Sequence, residues 1–204
     1  MYKHSTGILV LVSLLLFMQA SIANTLQVAG PKLDPRKGRF LVATGNLANS
    51  SFKETVIYIT HYSSLGVTGI TINRPANIPI NDAFPTIKEL SDISDTLYLG
   101  GPVKTDGIFV LLKTKRPHAG MKLITNDIYF TVGISAVMHS VPKATDGEAT
   151  RAYAGYSAWG PGQLQAEIER GDWLVVESDT NIIFENETDT VWPSLYKTWS
   201  GNWI

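Results

Sequence analysis

Three short stretches of this chain carry side chains whose types and spacing invite a chemical reading. Ser157 sits in Gly155-Tyr-Ser-Ala-Trp159. That word departs at its last position from the Gly-x-Ser-x-Gly elbow, which exposes a nucleophilic serine at a sharp strand-to-helix turn. The final glycine of the elbow lets strand and helix pack closely, and Trp159 cannot supply that. Such hydrolases also place their histidine after the serine, whereas the last histidine here is His139. Ser157 is therefore read as a structural strand serine, and no catalytic residue is assigned.

The second stretch pairs His61, at the end of an apolar run beside a turn, with Asn73-Arg74 closing the next run. An arginine just past an apolar strand can grip a carboxylate or phosphate through two parallel N–H bonds. It can equally pair with Glu54 or another acid and lock the hairpin. The third stretch is Gly160-Pro161-Gly162-Gln163, where an aromatic run breaks and restarts with helical spacing. A helix start after two glycines presents free backbone N–H groups to a ligand. A stiff corner packed by Trp159 and Trp173 needs the same residues with no ligand. The candidate ligand-binding set is thus His61, Asn73, Arg74, Gly160, Gly162 and Gln163.

Other chemistries are excluded by what is missing. The four histidines form no i, i+2 or i, i+4 pair and the chain has no cysteine, so no metal site, thiolate chemistry or disulfide is expected. Gly100-Gly101 and the 160–162 turn lack the Lys-Ser/Thr or the third glycine of the nucleotide loops, and no cofactor is expected.

The elements that must position these residues follow from periodicity. Short β-branched and aromatic runs read as strands at 39–43, 55–62, 67–73, 97–99, 108–112, 121–124, 128–134, 151–159 and 173–176. Residues 55–73 form a hairpin around Ser63-Ser-Leu-Gly66. Helical spacing marks 135–140, 163–169 and 189–199, with one or two short helices in 79–92. Strands grouped in hairpins with irregularly interspersed helices predict an α+β domain.

Residues 1–23 read as a signal peptide. Lys3 precedes an apolar run over residues 8–18, and Ser21-Ile22-Ala23 offers small residues for cleavage before Asn24. An uncleaved anchor is the rival reading, although the run is short against the roughly twenty residues of a membrane span. The mature chain would hold 181 of the 204 residues, a linker over 24–37 and one domain over 38–204. Removing Lys3 moves the net charge from −1 to −2, so no basic surplus exists to neutralise nucleic-acid phosphates. A periplasmic protein with no stable membrane span and a protein or small ligand as partner is expected.

Seven words in order support a family resemblance: Gly38-Arg-Phe-Leu-Val-Ala-Thr44, Phe52-Lys-Glu-Thr-Val56, Gly69-Ile-Thr-Ile-Asn-Arg-Pro75, Leu99-Gly-Gly-Pro-Val103, Gly107-Ile-Phe-Val-Leu111, Gly155-Tyr-Ser-Ala-Trp-Gly-Pro-Gly-Gln-Leu164 and Asp172-Trp-Leu174. Together they resemble the AlgH/YqgE family of bacterial proteins across residues 38–199. The resemblance implies a single domain with a bifurcated, partly barrel-like, mixed or antiparallel sheet flanked by helices. It brings no established catalytic residue or cofactor, and one branch is associated with regulation of exopolysaccharide production. Typical members look cytoplasmic, so an export signal argues against direct transcriptional regulation here. The expectation is a non-enzymatic binding domain. The alternative is an enzyme with a site between the His61/Arg74 hairpin and the 160–162 turn.

Overall fold

The computed structural model describes residues 33–140, 147–185 and 187–200, without the side chains of His139 and Ser140. The segment read as a signal peptide and the first part of the expected linker lie outside the described residues. The strands are β1 (Arg39–Ala43), β2 (Val56–Ser63), β3 (Gly66–Thr71), β4 (Pro75–Pro79), β5 (Thr96–Leu99), β6 (Val103–Lys113), β7 (Lys122–Thr125), β8 (Ile128–Val132), β9 (Ala149–Trp159) and β10 (Trp173–Glu177). The helices are α1 (Ile80–Ala83), α2 (Ile134–Ser140), α3 (Gln163–Glu169), α4 (Thr180–Phe184) and α5 (Thr188–Ser200). No helix among the described residues is long and apolar enough to cross a membrane.

The strands form one sheet in the order β10-β1-β2-β3-β9-β6-β8-β7, antiparallel along that path. The eleven-residue β9 is its hub. One edge of β9 carries β6. The other edge is shared: β3 pairs with it from Val67↔Trp159 to Gly69↔Ser157, and β5 runs parallel to it from Leu97↔Ala152 to Leu99↔Ala154. The sheet therefore forks at Gly155-Tyr156, as a bifurcated sheet should. It curls without closing: Lys37 Nζ donates to the Leu123 carbonyl at 3.0 Å, which brings edge strand β7 towards the start of β1.

Alternation along the strands decides which layer each side chain joins. Phe40, Val42, Val56, Tyr58, Phe109 and Leu111 face an inner core covered by Ile183 of α4 and by Val191 and Leu195 of α5. Leu41, Ala43, Ile57 and Ile59 face the other way, onto Leu164 and Ile168 of α3. Ile108, Val110 and Leu112 pack under α1 and α2. Central strands are thus covered on both faces, which is why they read as unbroken apolar runs.

Two strand-sized features differ from the sequence reading. Residues 75–79 form β4 despite two prolines, which is possible because it pairs only with β5 and leaves its other edge open. Residues 180–184 form α4, capped by Asp179 Oδ1 on the Asn181 N–H at 2.9 Å.

The inner core carries one pH-dependent weakness. Tyr58 and Tyr153 are fully buried, and neither phenol oxygen has a hydrogen-bond partner among the described residues. Burial pushes both phenols above their ordinary range. The stabilisation from keeping them neutral is intact below pH ~10, the unfolded value, and is lost as pH rises beyond it, because the unfolded chain sheds these protons first. A Tyr58→Phe, Tyr153→Phe double variant is expected to unfold at higher pH than wild type in an alkaline titration followed by circular dichroism. An unchanged midpoint would contradict this.

Candidate functional site

Hairpin register decides what His61 and Arg74 can share. His61 stands opposite Thr68, while Ile57 stands opposite Thr71, so Arg74 lies beyond the open end of the hairpin. The strand carries the chain from Thr68 to Thr71, roughly 10 Å at the usual rise, and Arg74 lies three residues further on. The two residues are not brought together. His61 is exposed, with Nε2 3.2 Å from Ser63 Oγ, and Ser63 Oγ itself donates to the Gly66 carbonyl within the turn. Asn73 closes the far end: its Oδ1 accepts from the Val56 N–H at 2.8 Å and its Nδ2 donates to the Glu54 carbonyl at 2.9 Å. Arg74 does not pair with Glu54, whose carboxylate lies 3.6 Å from Lys53 Nζ. Its guanidinium donates instead to the carbonyls of Ser51 at 2.6 Å and Lys53 at 2.8 Å.

The 160–162 corner lies at the His61 end of the sheet, since Val67 pairs with Trp159 and Ser63 with Gly66. Gly162 caps α3 with φ 75°, a left-handed angle that favours glycine. Gly160 N–H donates to Gln163 Oε1 at 3.1 Å, so the helix start satisfies that donor itself. Below it, Glu167 Oε2 accepts from the indole N–H of Trp159 at 2.8 Å and of Trp173 at 2.9 Å, and Oε1 accepts from Gln163 at 3.0 Å. The two indoles meet edge to face with centroids 6.1 Å apart. These contacts are those of a packed corner.

A concave feature that the sequence reading did not contain opens on the inner face of the sheet. It is a groove of about 650 Å³. Its floor is aromatic: Phe109 stacks on Phe130 with centroids 6.1 Å apart and meets Tyr156 edge-on at 5.1 Å. One end is polar, where Thr60 Oγ1 donates to the Thr68 carbonyl at 3.2 Å and lies 3.0 Å from Thr68 Oγ1. Lys104 and Asp106 stand on the rim, and neither forms an ion pair among the described residues. Val132, on β8, is 56% exposed at the edge.

The backbone explains why the groove is there. Val103 pairs with Tyr156 but Ile108 pairs with Ala154, so residues 104–107 bulge out opposite Gly155 alone. Lys104 adopts φ 50° within that bulge. Gly155, at φ 72°, is thus where β9 faces the fork on one edge and the bulge on the other. A Cβ there would sit 2.3 Å from the Gly101 carbonyl oxygen and 3.0 Å from that of Val103. Gly100, Gly101 and Gly155 are required by this crossing, whereas Gly160 and Gly162 stand clear of it.

An open, forked α+β sheet with an aromatic inner groove defines the class of protein, and comparison with known proteins gives it a family. The AlgH-like family model matches residues 40–203. A relative from Pseudoalteromonas translucida is 32% identical over 161 residues, covering 76% of this chain and 86% of its own length. One from Methylococcus capsulatus is also 32% identical, covering 78% and 89%. The solution structure of the AlgH protein from Pseudomonas aeruginosa superposes with a TM-score of 0.65 at 26% identity, over 84% of this chain and 93% of that one. A crystal structure of a protein from Corynebacterium diphtheriae shares the fold, with a TM-score of 0.68 at 23% identity and coverage of 86% and 93%. The chain belongs to the AlgH-like family, whose members are of uncharacterised function.

Proposed function

We propose that this chain is an exported, non-enzymatic binding domain that seats a small molecule with a flat apolar body in the groove on its inner face. The observation that carries this reading is the Phe109, Phe130 and Tyr156 cluster, left partly open to solvent beneath a bulge that the fold maintains with a strained Lys104. Binding sites of this kind combine an apolar lining with a few placed polar groups. The Thr60/Thr68 end and the Lys104/Asp106 rim supply those groups. Export rests on the N-terminal segment, and sequencing of the secreted form is its test, with Asn24 as the expected first residue.

The groove is tested with 8-anilino-1-naphthalenesulfonate, an aromatic probe whose emission brightens in apolar sites. Saturable one-to-one binding by wild type is expected. Val132→Asp places a charge at the groove edge and is expected to weaken binding about tenfold, or about 1.4 kcal/mol. Leu65→Asp, at a hairpin tip position that is 85% exposed and outside the groove, serves as control and is expected to leave binding unchanged. Equal affinity for wild type and Val132→Asp would remove the groove as the site.

A further inference from the structure

We infer that a second cleft, where Arg74 meets the fork of the sheet, binds the carboxylate of a small organic monoanion. The cleft measures about 270 Å³ and is separate from the aromatic groove, with which it shares no lining residue. Arg74 lines it with its guanidinium already held in place. Two of its five N–H donors go to the Ser51 and Lys53 carbonyls. Carbonyls position a cation without neutralising it, and no carboxylate lies within ion-pair distance of Arg74 among the described residues. The result is a preorganised positive charge with three donors left over.

The rest of the lining fits an anion with a short apolar body. Ser51, Thr71 and Thr105 line the cleft, and their hydroxyls make no hydrogen bond with any described residue. Thr71, only 2% exposed, lines the inner part of the cleft, and Ser51 and Thr105 stand exposed at its mouth. A carboxylate in the cleft can accept from these hydroxyls and from the guanidinium together, which makes the hydrogen bonds charge-assisted. Leu99, a β5 residue left 49% exposed, forms an apolar wall beside them. No acidic residue lines the cleft to repel an anion. One unpaired arginine balances one negative charge, and the small volume leaves no room for a nucleotide. A carboxylate on a short branched aliphatic body matches both limits.

The test is a titration of the full mature chain with isovalerate, read by amide chemical shifts in two-dimensional NMR, alongside the uncharged isovaleramide. Isovalerate is expected to give saturable shifts at Ser51, Thr71, Gly101 and Thr105, and isovaleramide none. Thr105→Val removes one hydroxyl without touching the Arg74 contacts and is expected to weaken binding at least fivefold. Arg74→Gln is expected to abolish it, with the circular dichroism spectrum confirming that the variant is folded. Should Arg74→Gln unfold, the wild-type comparison of acid and amide together with Thr105→Val still decides. Shifts reproduced by equal concentrations of chloride, equal shifts with the amide, or an unchanged affinity in Thr105→Val would overturn the inference. Shifts confined to Phe130 and Val132 would also overturn it while leaving the groove reading intact.

Discussion

Replacing Gly155 with alanine is expected to destabilise the protein by about 3 kcal/mol or more and to lower its melting temperature by about 6–12 °C. Two costs add. A non-glycine residue in the left-handed region costs roughly 1–2 kcal/mol by itself. The new Cβ would then lie 2.3 Å from the Gly101 oxygen, and this is backbone that no rotamer change can move aside. Relief requires the fork to open, which separates β9 from the Gly100-Gly101 segment that hydrogen-bonds to Ala154 and Thr71. Gly160→Ala is the internal comparison. Its Cβ would find only Gln163 Oε1, at 4.0 Å, and the cost is expected to stay within about 0.5 kcal/mol, as for most exposed substitutions. Calorimetry on both variants checks the contrast, and equal melting temperatures would contradict it. The comparison separates two glycines of one sequence word, one that the sheet cannot do without and one that terminates a strand in open space.

Glu167→Ala is expected to cost about 2–4 kcal/mol. The carboxylate accepts from two indole N–H groups, on the buried Trp159 and Trp173. Its removal leaves both without a partner, at roughly 1–3 kcal/mol for each unsatisfied buried group, with the total held down because Glu167 itself is half-exposed and water can reach the gap. Glu167→Gln keeps one acceptor oxygen and should lose about half as much. Urea denaturation followed by tryptophan emission checks both variants, with a lower midpoint expected for alanine than for glutamine. An unchanged midpoint for Glu167→Ala would show that the corner does not depend on this carboxylate. The result matters for function as well, because it asks whether the Gly160-Pro161-Gly162 turn is held by its own side chains rather than by a ligand.

Alternation and helical spacing made most of the secondary structure legible, and the α3 boundaries read from 163–169 coincide with the helix. The forked sheet was implied by the ordered family words, not by any periodicity. What could not be read was spatial. His61 and Arg74 are close in sequence, yet hairpin register sends them to opposite ends. The groove draws on β2, β3, β6, β8 and β9, and no single stretch of these carries a recognisable pattern. Phe109, Phe130 and Tyr156 read as ordinary strand aromatics, and only the pairing of distant strands leaves Phe130 and Tyr156 partly open beside the buried Phe109. The sequence signal that did point there was indirect. Gly155 and Gly100-Gly101 stand in strand-like surroundings that do not favour glycine, and they mark the crossing that produces the fork and the bulge.

The central claim is that ligands seat on the inner face of the forked sheet. It is tested most directly by mapping amide shifts across the protein as 8-anilino-1-naphthalenesulfonate is added. Changes concentrated at Phe109, Phe130, Val132 and Tyr156 are expected. Changes concentrated at His61 and Gly160–Gln163, with the inner face silent, would contradict it.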